Sequence, residues 1–403
     1  MESVEKRRIA VIDADIIGKK KHRFPNLACM KISSYYKSTG HSVVLKLNYE
    51  GLDIFDKVFI SKVFTATPIP NDVLNLPNVE YGGTGFFYDK AKPLPYEIEH
   101  CKPDYHLYDN WVNNAIEKGI KRSEFTYYLD YSIGFLTRGC FRQCKFCVNQ
   151  NSKQCIPHSA LSEFVDEERP KLCFLDDNFF ACPEWEALIE PVVKSGKRFQ
   201  FKQGLDERLL TKDKIQKLSN WKYDGEVIFA FDNIEDRNLI VSKLKLIRNT
   251  VPEWSRELKF YVFCGFDKDD KYDTGFWERD IKSMFERIKI LKSFGCKPYL
   301  MRYEKVYDSK YSSFYAALAA WCNQPSMFRS FTFRLFCQCR GMRRNGYNKY
   351  KRDIDGYLKD IGIKGSEWKA MELIENEFPQ IANEYFDFVG KPIEKDEWLN
   401  VED

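Results

Sequence analysis

Cys140, Cys144 and Cys147 lie on one short stretch, Thr137-Arg138-Gly139-Cys140-Phe141-Arg142-Gln143-Cys144-Lys145-Phe146-Cys147, spaced C-x3-C-x2-C. Cysteine thiolates are the usual ligands of iron–sulfur clusters, and three of them can hold three irons of a [4Fe–4S] cluster. The fourth iron then has no protein ligand and is open to a substrate or cofactor. The rival readings are a zinc site or three unrelated packing thiols. Zinc sites usually carry two separated Cys/His pairs, and no second C-x2-C follows in the chain.

Such a loop needs a scaffold, and the composition allows a large one. At 403 residues the chain is long enough for two or three domains. With 44% hydrophobic and 30% charged residues it reads as an ordinary globular protein. Aromatics reach 16%, enough for large cores and a π-lined pocket. A net charge of +4 is too small to imply a polyanionic partner. Met1 to Arg8 is charged, and the apolar run Ile9–Ile12 is too short for a signal peptide. No run of about 18 apolar residues suggests a membrane span. A cytoplasmic protein with reduced thiols is expected. Cys29, Cys101, Cys155, Cys173, Cys182, Cys264 and Cys296 are scattered and read as packing residues.

The elements fall into an α/β order. Strands are expected at Arg8–Asp13, Val43–Leu47, Lys57–Ser61 and Val79–Tyr81, with a helix over Leu27–Lys37 that stops before Gly40. This alternation predicts a Rossmann-like N-terminal domain with a parallel sheet, over residues 1–115. The stretch near 85–130, with Pro93, Pro95 and Pro103, reads as irregular and wrapping, with a linker at 116–131. Six further strands are expected at Ser132–Leu136, Lys171–Leu175, Phe199–Lys202, Glu226–Ala230, Lys259–Phe263 and Pro298–Arg302. Helical patterns such as Glu184–Lys194 and Arg279–Phe294 lie between them. This predicts a partial (β/α)6 TIM-type barrel over 132–309, whose chemistry belongs at the C-terminal strand ends. The cysteine loop follows the first of these strands. A helical C-terminal domain is expected over 310–403, with Phe328, Phe331 and Phe333 of the stretch Trp321–Phe336 buried against the open side of the barrel.

The cysteine spacing resembles the signature of the radical S-adenosylmethionine enzymes. The resemblance spans roughly residues 131–305 and is strongest in members with an N-terminal cobalamin-binding-type domain, where a Thr/Ser-Arg-Gly-Cys start and an Asp-Asp-Asn-Phe turn recur. It implies a [4Fe–4S] cluster on Cys140, Cys144 and Cys147. The open iron would chelate S-adenosylmethionine, and reductive cleavage would give a 5′-deoxyadenosyl radical that abstracts hydrogen from the substrate. Phe146 matches the aromatic near the adenine. Asp176, Asp177 or Asn178 would bind the ammonium of S-adenosylmethionine; adjacent carboxylates at a strand end are unfavourable without cations or donors. Gln203 and Arg208 match groups that contact ribose and the methionine carboxylate, which a planar guanidinium fork suits. Asp232 would lie near the ribose hydroxyls, Gly265 would let backbone approach adenine, and Met301 falls in the matching sixth strand. The bland alternatives are an N-cap for the Asp-Asp-Asn turn and a surface ion pair of Arg208 with Asp206 or Glu207.

The chain departs from the cobalamin pattern. Where D-x-H-x-x-G would supply a cobalt ligand it has Asp13-Ala14-Asp15-Ile16-Ile17-Gly18, with Asp15 in place of histidine. The expectation is therefore a remodelled domain without cobalamin. Cys322, Cys337 and Cys339 lack the fourth member of an auxiliary cluster and read as packing thiols. The basic run Arg340–Arg352, with Tyr347 and Tyr350, reads as a solvated face, or else as a nucleic-acid contact. The preferred substrate is a small molecule or peptide, and the resemblance implies an electron donor such as flavodoxin or ferredoxin. A nucleic-acid-modifying enzyme and a non-catalytic iron–sulfur or zinc protein are the alternatives.

Overall fold

The computed structural model describes residues 5–19, 21–254, 257–340, 353, 355–356 and 364–388. The chain divides into two units, Met1–Gln203 with Trp221–Gly225, and Gly204–Asn220 with Glu226–Asp403. Both are mixed α/β with parallel sheets. Among the described residues no helix is long and apolar enough to cross a membrane.

In the first unit a four-stranded parallel sheet has the order β2-β1-β3-β4, from β1 (Arg8–Asp13), β2 (Ser42–Leu45), β3 (Lys57–Ser61) and β4 (Val79–Gly82). Alternate residues of a strand face opposite sides, and here both sides of β1 are buried, as a parallel sheet requires. Ile9 and Val11 pack with Met30 and Ile32 of the helix Leu27–Ser38. Ala10 and Ile12 pack with Leu52, Val58, Ile60 and Val73.

The stretch near 85–130 corrects the expectation of irregular chain. It forms the helices Tyr96–Glu99, Asp109–Glu117 and Thr126–Leu129. Tyr105, Leu107, Tyr108, Val112, Phe125 and Tyr128 complete the core around Ile9 and Val11. Its prolines punctuate turns between short helices, and its aromatics supply packing area.

The same unit carries a three-stranded parallel sheet, β5 (Tyr131–Gly134), β8 (Lys171–Phe174) and β9 (Arg198–Phe201), in that order. Its strands are apolar and almost wholly buried. A two-stranded antiparallel pair, β6 (Thr137–Arg138) and β7 (Ile156–Pro157), lies just after β5 in sequence and was not anticipated.

The second unit holds β10 (Val227–Ala230), β11 (Leu258–Cys264) and β12 (Lys297–Arg302), again parallel and in chain order. Leu258, Phe260, Val262 and Cys264 of β11 are buried, while Lys259, Tyr261 and Phe263 of its other face are partly open. The helices Thr274–Ser293, Ser312–Cys322, Phe333–Cys339 and Pro379–Tyr385 contribute an aromatic cluster of Phe285, Phe314, Phe333 and Tyr385, joined by Phe386. Phe328 and Phe333 are buried as expected; Phe331 is only partly so, and its carbonyl accepts the Trp321 indole N–H at 3.1 Å. Arg340 pairs with Glu367 at 3.6 Å. Arg343, Arg344 and the rest of the basic run lie outside the described residues.

Candidate metal centre

The cysteine loop is clasped at its base. Thr137 pairs with Pro157 and Arg138 with Ile156, so residues 139–155 leave and return at one point. Gly139 turns the chain into the loop at φ +92°, a conformation that disfavours any side chain. A Cβ there would also stand 2.3 Å from the Gln154 carbonyl oxygen and 2.6 Å from Ser152 Oγ. Ser152 Oγ accepts the Cys140 N–H at 3.2 Å and donates to the Gln154 carbonyl at 3.0 Å, bridging the two ends of the loop.

Asp176 and Asp177, at the end of β8, hold the start of this loop. Asp176 is 1% exposed. Its Oδ1 accepts the Thr137 N–H and Oγ1–H, both at 2.7 Å, and its Oδ2 accepts the Leu136 N–H at 3.1 Å. Burial pushes its carboxyl up to about 7, against the pull of these donors. Asp177 accepts the Gly139 N–H at 2.8 Å and an Asn149 side-chain N–H at 2.7 Å. The strand-end carboxylates, expected to meet a cofactor, thus have their donors in the loop itself. Asn178 is buried and donates to Cys140 Sγ at 3.4 Å.

A second grip comes from the segment after β4. Asp89 Oδ2 accepts from Gln150 at 3.1 Å and from Asn151 at 2.6 Å, and the Tyr88 hydroxyl donates to the Phe146 carbonyl. These contacts escaped the sequence reading. The signal was the amide run Asn149-Gln150-Asn151 after the last cysteine, which needs acceptors somewhere.

Cys140, Cys144, Cys147 and Phe146 are all partly exposed. Nine of the other ten cysteines are buried, and burial pushes thiols such as Cys155 and Cys182 up to about 12 and about 11. Cys322, Cys337 and Cys339 are among the buried, inert set. The loop thiols also collect donors: the Arg142 N–H reaches Cys140 Sγ at 3.5 Å, and the Asn149 N–H reaches Cys147 Sγ at 3.4 Å. Such hydrogen bonds to sulfur are among the features that tune a cluster. Among the described residues no three His, Cys, Asp or Glu side chains gather about one ion position. Three cysteine thiols are a donor set that a [4Fe–4S] cluster can take, one thiolate to each of three irons.

Gln203, after β9, is exposed. The other expected site residues belong to the second unit. Arg208 pairs through Nε with Asp206 at 2.8 Å and through Nη1 with Asp236 at 3.0 Å. Burial would lower the guanidinium, but the Asp206 bond outweighs it and holds the group more firmly charged than usual. Glu207 beside it is 1% exposed, and burial raises its carboxyl to about 8. Asp232, following β10, accepts the Phe263 N–H at 3.0 Å, and burial raises its carboxyl. Gly265, following β11, has φ +77°, and a Cβ there would meet Val306 Cγ2 at 2.1 Å. Packing against Val306 therefore accounts for this glycine. Met301 is 43% exposed on the partly open face of β12.

No protein-family model matches the chain, and no curated protein matches its sequence. Among solved structures the chain is similar to the radical S-adenosylmethionine methyltransferase TsrM from Kitasatospora setae, solved with cobalamin and a [4Fe–4S] cluster. The identity is 11%, over 74% of this chain and 75% of that one, with a TM-score of 0.49. It is also similar to the cobalamin-dependent S-adenosylmethionine radical enzyme OxsB, solved with aqua-cobalamin. There the identity is 11% over 74% of this chain, the TM-score is 0.33, and the match spans 49% of that chain. The structural neighbours are thus cobalamin-dependent radical S-adenosylmethionine enzymes. The expectation of a domain without cobalamin is corrected here, since both of those structures hold cobalamin. It had rested on Asp15 standing in the histidine position. Asp15 is buried, accepting from the Val63 N–H at 2.7 Å and from the Thr67 hydroxyl.

Proposed function

We propose that this chain is a radical S-adenosylmethionine enzyme whose [4Fe–4S] cluster is held by Cys140, Cys144 and Cys147. The observation that carries the reading is the loop. Three accessible thiols sit on a segment clasped by a two-stranded pair and anchored by Asp176, Asp177 and Asp89. Held by these three cysteines, a reduced cluster would supply the one electron that splits bound S-adenosylmethionine into methionine and a 5′-deoxyadenosyl radical. In our reading the chain's own groups do the rest. Phe146 would contact the adenine, and Asn178, which donates to Cys140 Sγ, would orient that ligand. Gln203 of the first unit, and Asp232 and Met301 of the second, are each candidates for cofactor contact, while Asp176 and Asp177 hold the loop. Arg208, held through Nε by Asp206 and through Nη1 by Asp236, is the candidate for a carboxylate contact.

A partial barrel over 132–309 and a Rossmann-like domain over 1–115 are part of this proposal; each unit has three parallel strands in chain order, β5-β8-β9 in the first and β10-β11-β12 in the second, and the four-stranded sheet has the order β2-β1-β3-β4. A small-molecule or peptide substrate is favoured by the aromatic shelf next to the loop. Tyr81 and Phe87, each 41% exposed, stack at 5.8 Å, and the neighbouring Tyr88 bonds to the cysteine segment.

Anaerobically reconstituted, reduced protein should convert S-adenosylmethionine to 5′-deoxyadenosine and methionine, read by chromatography. Zinc in place of iron, or iron with no cleavage, would install the non-catalytic reading instead. Arg208→Ala should leave iron unchanged and weaken S-adenosylmethionine binding by about 10- to 150-fold, the effect of a lost charged hydrogen bond worth about 1.5–3 kcal/mol. Unaltered affinity in calorimetry would remove Arg208 from the site.

A further inference from the structure

The clasp at the base of the cysteine loop hangs on one carboxylate. Glu99 ends the helix Tyr96–Glu99 and is 13% exposed. Its Oε1 lies 2.9 Å from Lys31 Nζ, 3.1 Å from His158 Nε2 and 3.7 Å from Arg138 Nη2. Arg138 belongs to β6, and His158 directly follows β7, so both strands of the clasp reach the same oxygen. Phe135 sits between the two arms: the Arg138 guanidinium lies 3.5 Å from its ring centre, and the His158 ring stacks on it at 6.0 Å and 16°. The His158 N–H also donates to the Leu136 carbonyl at 2.8 Å. Burial alone would raise Glu99, but the His158 hydrogen bond and the Lys31 charge bring its carboxyl down to about 2, so it is ionised throughout the working range.

We propose that Glu99 is a positioning residue that sets the shape of the cysteine loop by tying both of its ends to the Lys31 ammonium. The proposal rests on the iron–sulfur reading above and adds a residue to it. Asp176 and Asp177 hold the loop from β8, and Asp89 holds its far limb; Glu99 alone among these four carboxylates holds both strands of the base. Removing its charge leaves the Lys31 ammonium, 5% exposed, with the Glu99 backbone carbonyl as acceptor but without the carboxylate that pairs with it, and leaves Arg138 without that carboxylate too. A buried cation without its partner is strongly unfavourable, and the escape open to it is outward movement of β6, the strand that leads into Cys140.

The test uses the full-length, anaerobically reconstituted protein with Glu99→Gln, Glu99→Asp and the pair Lys31→Met/Glu99→Gln. Groups that orient metal ligands from behind typically contribute 10- to 100-fold in metal affinity. Iron removal by a chelator should therefore be about 10- to 100-fold faster in Glu99→Gln, with the cluster's absorption and electron paramagnetic resonance altered. Glu99→Asp should restore part of the wild-type rate. The charge-balanced pair should recover thermal stability but not iron retention. Wild-type retention in Glu99→Gln would overturn the proposal, as would recovery of both properties in the pair. If the wild type takes up no iron, the functional reading fails. Hydrogen exchange of residues 139–155 then decides this one: unchanged protection in Glu99→Gln defeats it, and faster exchange across both ends of the loop sustains it.

Discussion

Replacing Cys140, Cys144 and Cys147 together by alanine should take bound iron and sulfide from about four each per chain to background, as loss of a [4Fe–4S] site requires. The three side chains are partly exposed, so the fold should survive, with an unchanged far-ultraviolet circular dichroism spectrum. Changing Cys322, Cys337 and Cys339 should do the reverse. These thiols are buried and pushed up by burial, so alanine there should lower stability by about 1 kcal/mol per site for lost packing and leave iron in place. Iron that persists in the first triple variant would locate the cluster elsewhere. Iron lost only from the second would give the helical segment a role that its burial does not suggest.

The strands were the most legible part of the sequence. All ten expected strands are present within a residue or two, because apolar runs of four to seven residues bounded by polar ones have few other solutions. The stretch near 85–130, which holds Tyr105, Tyr108 and Phe125, reads as irregular for the opposite reason. It has no long period, and only the tertiary fold shows that these residues complete the core around Ile9 and Val11. At the site, residue type was legible and partnership was not. Asp176 and Asp177 were recognised as needing donors, and donors are what they have; that Leu136, Thr137, Gly139 and Asn149 supply them follows from the pairing of β5 with β8, which sequence spacing does not reveal. Arg208 takes Asp206, the partner named in its ion-pair alternative, while Asp236, far along the chain, could not be read from spacing. The two-residue clasp β6–β7 is too short to leave a periodic signal, and with it Glu99 stayed invisible.

Asp176→Asn should destabilise the first unit and change how its stability depends on pH. The carboxylate accepts from Leu136, from the Thr137 backbone and from the Thr137 hydroxyl. Asparagine can keep the two Thr137 bonds on its carbonyl, but its amide then faces the Leu136 N–H, donor against donor. A buried donor left unsatisfied costs about 1–3 kcal/mol. The pH dependence follows from the raised carboxyl, at about 7 in the folded chain against an ordinary 3.8. Below pH 4 the group is protonated in both states and its contribution is complete. As pH rises from about 4 to 7 the unfolded chain gives up the proton and the folded chain keeps it, so stability falls by about 1.4 kcal/mol per pH unit, about 4 kcal/mol in all. Above 7 the loss is complete and the curve flattens. Asparagine has no proton to lose, so the gap between wild type and variant should be widest near pH 4 to 5 and should narrow or reverse by pH 8. Urea unfolding at pH 5, 6, 7 and 8 reads this directly. Parallel curves for the two proteins would mean that Asp176 is ionised in the fold throughout, with the Leu136 and Thr137 donors outweighing its burial.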